Sequence, residues 1–183
     1  MTRRSSIAFV LVRLDLGRER ALLLRENDKW RDWSFVGGHV EPGEEGDWTK
    51  TAIRETEEEM LPLQHLKHFL IEELPVKTIT WQAASRSASG VLTDYAVRCY
   101  LLTFVHSPEA MLSQLSDGRF ILAGESWLRS HPPDVGDTVV RTLSHLGEGL
   151  GALPLSWPDV VNAPSKLVQS STASGLPSAD FQL

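Results

Sequence analysis

Four glutamates crowd into five consecutive positions that begin at Glu55. On an α-helix, residues three and four apart are neighbours, so Glu55, Glu58 and Glu59 project from one side while Glu57 points elsewhere. Carboxylates at this spacing repel one another unless a cation lies among them. Hard oxygen ligands on a compact face suit Mg²⁺ or Mn²⁺, whereas Zn²⁺ favours His and Cys. The pattern predicts a magnesium or manganese site; an acidic helix face in solvent is the alternative interpretation.

The helix that would carry these carboxylates has a second face of small and apolar side chains, which can lie against a sheet. This face consists of Thr49, Ala52, Ile53, Thr56 and Met60. We expect Asp47 to cap the first turn, since its carboxylate can accept from exposed amides there. Leu61 precedes Pro62, which disfavours helical geometry and ends the helix.

A glycine pair, Gly37 and Gly38, lies upstream of this helix. Glycine adopts backbone conformations closed to other residues and lets a phosphate or metal approach the chain closely. A tight turn after a strand explains a glycine pair equally well. Glu44, between the glycines and the helix, fits either a turn or the metal shell.

Together these residues resemble the signature of the Nudix hydrolase family, which is Gly, five residues, Glu, seven residues, then Arg-Glu-aliphatic-any-Glu-Glu-any-Gly-aliphatic. The matching residues, in order, are Gly38, Glu44, Arg54, Glu55, Glu58 and Glu59. The chain departs from the signature at three places. Nine residues rather than seven separate Glu44 from Arg54, Thr56 replaces an aliphatic residue, and Leu61 replaces the glycine. We expect the extra pair to lengthen the turn before the helix.

The resemblance implies an α/β fold, specifically a Nudix-like α/β/α sandwich with a mixed β-sheet. It also implies a pyrophosphohydrolase that uses Mg²⁺ or Mn²⁺ to cleave a phosphoanhydride in a nucleoside diphosphate linked to another group. A Nudix fold that has become a ligand-binding or regulatory module is the alternative.

The resemblance assigns roles to individual residues. Three carboxylates would hold the metal, with the Gly37 carbonyl and Glu44 as further candidate ligands, and Gly38 beside them. Arg54 would orient the glutamates. The general base of the family lies within the box or on a later loop, where Glu125 is the candidate and an ordinary surface glutamate the alternative. The three metal-binding carboxylates are Glu55, Glu58 and Glu59.

Hydrophobic patterning predicts the elements that position these residues. Strands are expected at residues 7–12, 21–24, 69–74 and 120–123, a hairpin at 77–84 and 91–105, and helices at 109–115 and 137–146. Strands interleaved with a few helices agree with a mixed sheet. On the second hairpin arm, Asp94, Arg98 and Tyr100 would border the substrate cleft or form a partly exposed sheet face. Trp30 would pack in the core or line a pocket.

Length and composition indicate one domain followed by a tail. With 183 residues, 42% of them hydrophobic, the chain can form one domain, assigned to residues 1–150. Residues 151–183 are rich in Ser, Pro, Ala and Gly, which predicts a flexible or loosely docked tail, with a homodimer contact or a lid as its alternative role.

Charge, cysteine content and hydrophobicity limit which binding partners, covalent bonds and locations are expected for the chain. A formal charge of -6 argues against a general nucleic-acid surface but is compatible with a small-molecule nucleotide substrate. Cys99 is the single cysteine, so no intrachain disulfide forms. No apolar stretch reaches the length of a membrane helix, which favours a cytoplasmic location.

Overall fold

A computed structural model describes residues 2–115, 119–130, 132–163 and 167–169. Its strands are β1 (Arg3–Leu11), β2 (Arg13–Asp15), β3 (Arg20–Glu26), β4 (Trp33–Ser34), β5 (Val36–His39), β6 (Phe69–Glu73), β7 (Ile79–Ala84), β8 (Leu92–Phe104), β9 (Phe120–Gly124) and β10 (Val168–Gln169). Its helices are α1 (Trp48–Glu59), α2 (Pro108–Leu112), α3 (Glu125–Arg129) and α4 (Asp137–Leu146), followed by a 3-10 helix over Gly147–Ala152.

Sheet A is mixed and, in the described residues, has five strands. β1 pairs parallel with β8 and antiparallel with β5, which gives the order β5, β1, β8, β6. β7 pairs antiparallel with the first part of β8, so the predicted hairpin is confirmed. β5 therefore forms one edge of the sheet as described, where its backbone is accessible to other elements.

Sheet B, also five-stranded in the described residues, differs from the single mixed sheet that the sequence predicts. It has the order β10, β9, β3, β2, with β4 beside β3. The chain passes between the sheets at Val12, because β1 belongs to sheet A while the Val12 carbonyl accepts from the Leu23 N–H of β3 at 2.9 Å. Only Val12 separates β1 of sheet A from β2 of sheet B, so one extended segment supplies strands to both sheets.

Side-chain alternation along β1 divides the core into two layers. Ala8 and Val10 face a cluster that includes Ala52 of α1. Ile7 and Phe9 face a second cluster that includes Val139 of α4. Sheet A is therefore enclosed by helices on both faces, and the predicted α/β class with a mixed sheet is confirmed.

The segment after residue 150 packs on the domain as far as the structure describes it. Ser156 is fully buried and is held by Arg13: the Arg13 N–H donates to its Oγ at 2.9 Å, and its own N–H donates to the Arg13 carbonyl at 2.8 Å. Val161 and Leu167 are buried in the core. A flexible tail does not fit these residues, because single apolar residues can dock without a periodic pattern. Residues 164–166 and 170–183 of the predicted tail lie outside the described part.

The helices of the described residues are all too short or too polar to cross a membrane. Cys99 is a free thiol within the second core cluster, and burial raises its pKa to about 12. It therefore remains protonated in the folded protein at neutral pH.

Candidate active site at the edge strand β5

The glycine pair of β5 allows the backbone of this edge strand to approach its neighbours closely. Gly37 has φ +133°, and a Cβ there would collide with the Ala8 carbonyl of β1. A Cβ on Gly38 would collide with the Glu55 carboxylate of α1. Gly37 therefore requires glycine, whereas a side chain at Gly38 would displace the Glu55 carboxylate. The pair brings the strand directly against the acidic helix.

Helix α1 is placed by its cap and by its apolar face. The Asp47 carboxylate accepts from the Thr49 N–H at 3.2 Å, which confirms the predicted N-cap. Ala52 and Thr56 are fully buried against the sheet. The last helical residue is Glu59, two positions before Leu61. The helix is continuous from Trp48, so its carboxylates keep the predicted helical spacing.

Glu59 is held on two sides. Its Oε2 accepts from the Gly37 N–H at 3.0 Å, and its Oε1 accepts from the Arg25 guanidinium at 3.1 Å. Burial raises the pKa of Glu59 to about 7, against the opposing effects of these two donors. Arg25 was not singled out from the sequence. It lies in β3, 34 positions from Glu59, and its only sequence signal is a charge at the end of an apolar strand.

Arg54 connects the other glutamates of the motif. Its guanidinium lies 3.2 Å from Glu44 Oε1, 2.8 Å from Glu55 Oε1 and 3.5 Å from Glu58 Oε2. It also donates to the carbonyl of His39 at 3.3 Å. This geometry fits the orienting role that the family resemblance implies.

Glu44 is already fully engaged. Its Oε2 accepts from the Thr51 hydroxyl at 2.7 Å, and both of its oxygens accept from Arg54. Hydrogen bonds from Arg54 and then from Thr51 lower its pKa to about 2. The geometry favours Glu44 as the anchor of Arg54 in the turn over Glu44 as a metal ligand.

The remaining carboxylates have the chemistry of a hard-cation site but are not gathered around one point. Glu58 is 59% exposed, and burial raises the pKa of Glu55. Within the described residues, no three His, Cys, Asp or Glu side chains lie close enough together to hold a metal. Glu55 and Glu59 bind Arg54 and Arg25 instead. The donors fit Mg²⁺ or Mn²⁺ in type, and a cation would compete with these arginines for them.

Glu125 lies elsewhere in the fold. It begins α3, directly after β9 of sheet B, and its Oε1 is 2.5 Å from Nε of the fully buried Arg13. Arg13 also donates to the Leu153 carbonyl. The structure thus gives Glu125 a buried ion pair rather than a place beside the box, which does not support the general-base role.

Among the β8 residues considered for the cleft, Tyr100 is buried in the cluster beneath α1, while Arg98 is 40% exposed, as in the alternative of a partly exposed sheet face. Tyr95, on the other face of β8, lines a cavity. The Arg98 guanidinium lies 4.7 Å from the Trp48 ring of α1. Trp48 itself donates from Nε1 to the Glu45 carbonyl at 3.1 Å.

A cavity of about 270 Å³ lies along the second face of sheet A. Its walls come from β1, β5, the β7–β8 hairpin, the loop after β3 and the start of α4. Trp30 lines it, as do Trp81 and Tyr95, whose stacked rings have centroids 5.6 Å apart. Gly37 and Gly38 line it too, so the same two glycines contact both the cavity and the carboxylates of α1.

Comparison with known proteins identifies the class to which this arrangement belongs. Residues 2–90 match the family model described as NUDIX domain. No curated protein sequence matches the chain. This match confirms the resemblance to the Nudix hydrolase family.

Solved structures share the fold. A Nudix hydrolase from M. smegmatis, RenU, has a TM-score of 0.50 at 17% identity, covering 85% of this chain and 92% of that chain. NrtR from Shewanella oneidensis has a TM-score of 0.51 at 16% identity, covering 78% and 63%. A C. elegans Ap4A hydrolase binary complex has a TM-score of 0.51 at 15% identity, covering 81% and 99%. At such identities the likeness concerns the fold alone.

Proposed function

We propose that the protein hydrolyses a phosphoanhydride bond in a nucleoside diphosphate linked to another group, with Mg²⁺ or Mn²⁺ as the cofactor. One observation carries the proposal: Gly37 and Gly38 have the carboxylates of Glu55 and Glu59 against them and also line an aromatic cavity. The NUDIX domain supports the pyrophosphohydrolase class.

The proposed site has two regions: the carboxylates of α1, which would bind the cation, and the cavity, which would bind the rest of the substrate. Glu55, Glu58 and Glu59, with the Gly37 carbonyl, would hold the cation, and Arg54 would orient the glutamates. A bound divalent cation polarises phosphate oxygens and lowers the pKa of an attacking water. Arg25 holds Glu59 in place from β3. Glu125 has no assigned role in the reaction.

The cavity receives the part of the substrate beyond the diphosphate. Glycine backbone with no side chain lets phosphate oxygens approach the strand. Aromatic walls stack on flat ring systems, and this contact is favourable for any nucleobase. The diphosphate would therefore cross β5 at the glycine pair, with the nucleoside on the cavity side.

A substrate panel tests this function. The purified full-length chain is incubated with Mg²⁺ or Mn²⁺ and with nucleoside triphosphates, ADP-ribose, dinucleotides and capped RNA, and phosphate products are scored. We expect metal-dependent turnover of at least one compound that contains a nucleoside diphosphate. Absence of turnover across the panel, together with an unchanged circular dichroism spectrum, would contradict the proposal.

A ligand-binding or regulatory module is the second candidate, and the arginine pairs favour it. Glu55 and Glu59 each form an ion pair with an arginine without a metal, as expected for a site that does not need a cation to be stable. Under this alternative the same panel gives saturable binding by calorimetry, with no products and no effect of Mg²⁺.

A further inference from the structure

The Arg86 side chain makes two contacts in the cavity that a ligand could make in its place. Its guanidinium carbon lies 4.3 Å from the centre of the Trp30 ring. Its Nη1 lies 2.5 Å from Oδ2 of Asp32. A guanidinium is flat and delocalised, with N–H donors along its edge. One flat group thus lies over an indole and donates to a carboxylate at the same time.

Asp32 is more buried than Arg86, which pairs with it. Asp32 belongs to the loop between β3 and β4, and its side chain is only 17% exposed. Arg86 comes from the loop of the β7–β8 hairpin and is 51% exposed. Half-exposed ion pairs contribute little to stability, so a ligand that satisfies Asp32 can displace the arginine. The ligand could then take the place of Arg86 against the Trp30 ring, which Lys29 Nζ also contacts at 4.7 Å.

The carboxylate of Asp32 selects among flat ligands, because a carboxylate accepts hydrogen bonds and donates none. Guanine presents two adjacent donors, N1–H and the 2-amino group, to such a partner. In adenine and cytosine the amino group adjoins a ring nitrogen that accepts, and in uracil a single N–H lies between two carbonyls. Only guanine among these bases reproduces the pair of donors on the edge of Arg86.

We propose that the cavity binds the base of a guanine nucleotide, stacked on Trp30 and donating to Asp32, in place of Arg86. This inference rests on the proposed function, since it names the nucleoside that the same site takes. The nucleoside would then lie on the cavity side of Gly37 and Gly38, with its phosphates directed to the box.

Binding of nucleoside monophosphates tests the inference apart from catalysis. Calorimetric titration of the full-length chain without divalent metal compares GMP, IMP and AMP. IMP differs from GMP only in the missing 2-amino group. We expect GMP to bind at least about tenfold more tightly than IMP or AMP, since one bidentate contact discriminates to that extent.

Variants test which side chains determine the affinity for GMP. Asp32→Asn should weaken GMP binding at least about tenfold, because the amide places a donor against the donors of guanine. Arg86→Ala should leave GMP binding equal or tighter, because the competing group is gone. The matched control is Asp94→Asn, on the same hairpin but bonded to Gln82 and outside the cavity; it should change GMP affinity less than about twofold.

Two results would overturn the inference: AMP binding as tightly as GMP to the unmodified chain, or unchanged GMP affinity in a folded Asp32→Asn protein. The first needs no variant and so does not depend on folding. Monophosphates contain no phosphoanhydride bond, which separates this inference from the proposed function. GMP preference without turnover of any diphosphate compound would refute only the function. Turnover without GMP preference would refute only the inference.

Discussion

Arg25 of β3 donates to Glu59 of α1 across 3.1 Å, which joins sheet B to the last carboxylate of the acidic helix. The two side chains are 12% and 18% exposed. The second arm of the same guanidinium lies 2.7 Å from Asp28. An arginine outside the recognised motif therefore neutralises one of its glutamates and fixes where that glutamate points.

Removing this arginine should destabilise the protein measurably. Arg25→Gln leaves the mostly buried Glu59 with the Gly37 N–H as its remaining donor, which we expect to cost about 1–3 kcal/mol of unfolding free energy. Urea unfolding at pH 7 measures it. Arg31→Gln is the control, since Arg31 pairs with Glu26 while 73% exposed and should cost under about 0.5 kcal/mol. Equal losses of unfolding free energy for the two substitutions would show that the buried Arg25–Glu59 pair stabilises the fold no more than an exposed ion pair does.

Glu58→Gln should remove most turnover and leave the fold intact. The substitution deletes a proposed ligand charge at nearly constant volume, and Glu58 is 59% exposed, so its cost to stability should be small. We expect kcat to fall at least about 100-fold, or ~2.7 kcal/mol of barrier. Steady-state kinetics at saturating Mg²⁺ measures it. Glu57→Gln, whose carboxylate accepts from the His65 N–H, should retain activity within about twofold. A wild-type rate for Glu58→Gln would refute the metal assignment.

The Glu44 anchor predicts a specific pH dependence. Its folded pKa of about 2 lies below the ordinary value of 4.5. Ionised Glu44 therefore stabilises the fold fully above about pH 4.5, and this contribution is lost as the pH falls towards 2. The difference in unfolding free energy between wild type and Glu44→Gln should shrink between pH 5 and pH 3. Glu41→Gln, which is 3.9 Å from Arg54 and 64% exposed, should show no comparable trend. A constant difference for Glu44→Gln would mean that the negative charge of Glu44 adds nothing to stability through its pair with Arg54.

Trp48 and Trp81 should give different kinetic effects. Trp48 contacts Arg98 beneath α1, whereas Trp81 lines the cavity. We expect Trp48→Ala to lower stability by about 1–3 kcal/mol with KM unchanged within about twofold for every substrate. Trp81→Ala should raise KM about tenfold through lost stacking. A substrate-selective rise in KM for Trp48→Ala would instead place that ring at the substrate.

Truncation after Gly151 should destabilise the domain. It removes buried Ser156 and Val161, and with Ser156 both of its hydrogen bonds to Arg13. We expect the melting temperature to fall by more than about 5 °C, which corresponds to over 1 kcal/mol for a chain of this size. Ser156→Ala, which deletes only the hydroxyl, should give a smaller drop. An unchanged melting temperature on truncation would show that this segment contributes nothing to stability.

Local patterns in the sequence predicted most of the elements. The cap at Asp47, the β7–β8 hairpin and the helix Asp137–Leu146 with Gly147 at its end all follow from signals within a few residues. The second sheet was not predicted, because a strand pattern does not show which sheet a strand joins, and only Val12 separates β1 from β2. For residues 151–183 the sequence left a flexible and a loosely docked tail open, because the packing of residues 153–163 depends on partners about 140 positions away.

The sequence by itself determined the acidic motif, its glycine pair and the class of fold, because these depend on residue type, helical spacing and strand period. Only the tertiary structure decided which charges meet. It paired Arg25 with Glu59, Arg13 with Glu125 and Arg86 with Asp32, at separations of 34, 112 and 54 residues. Such pairs form because the folded sheets bring distant strands and loops within a few ångströms, where hydrogen bonds can form and Coulomb attraction is strong. These long-range pairs cannot be predicted from any local periodicity of the sequence.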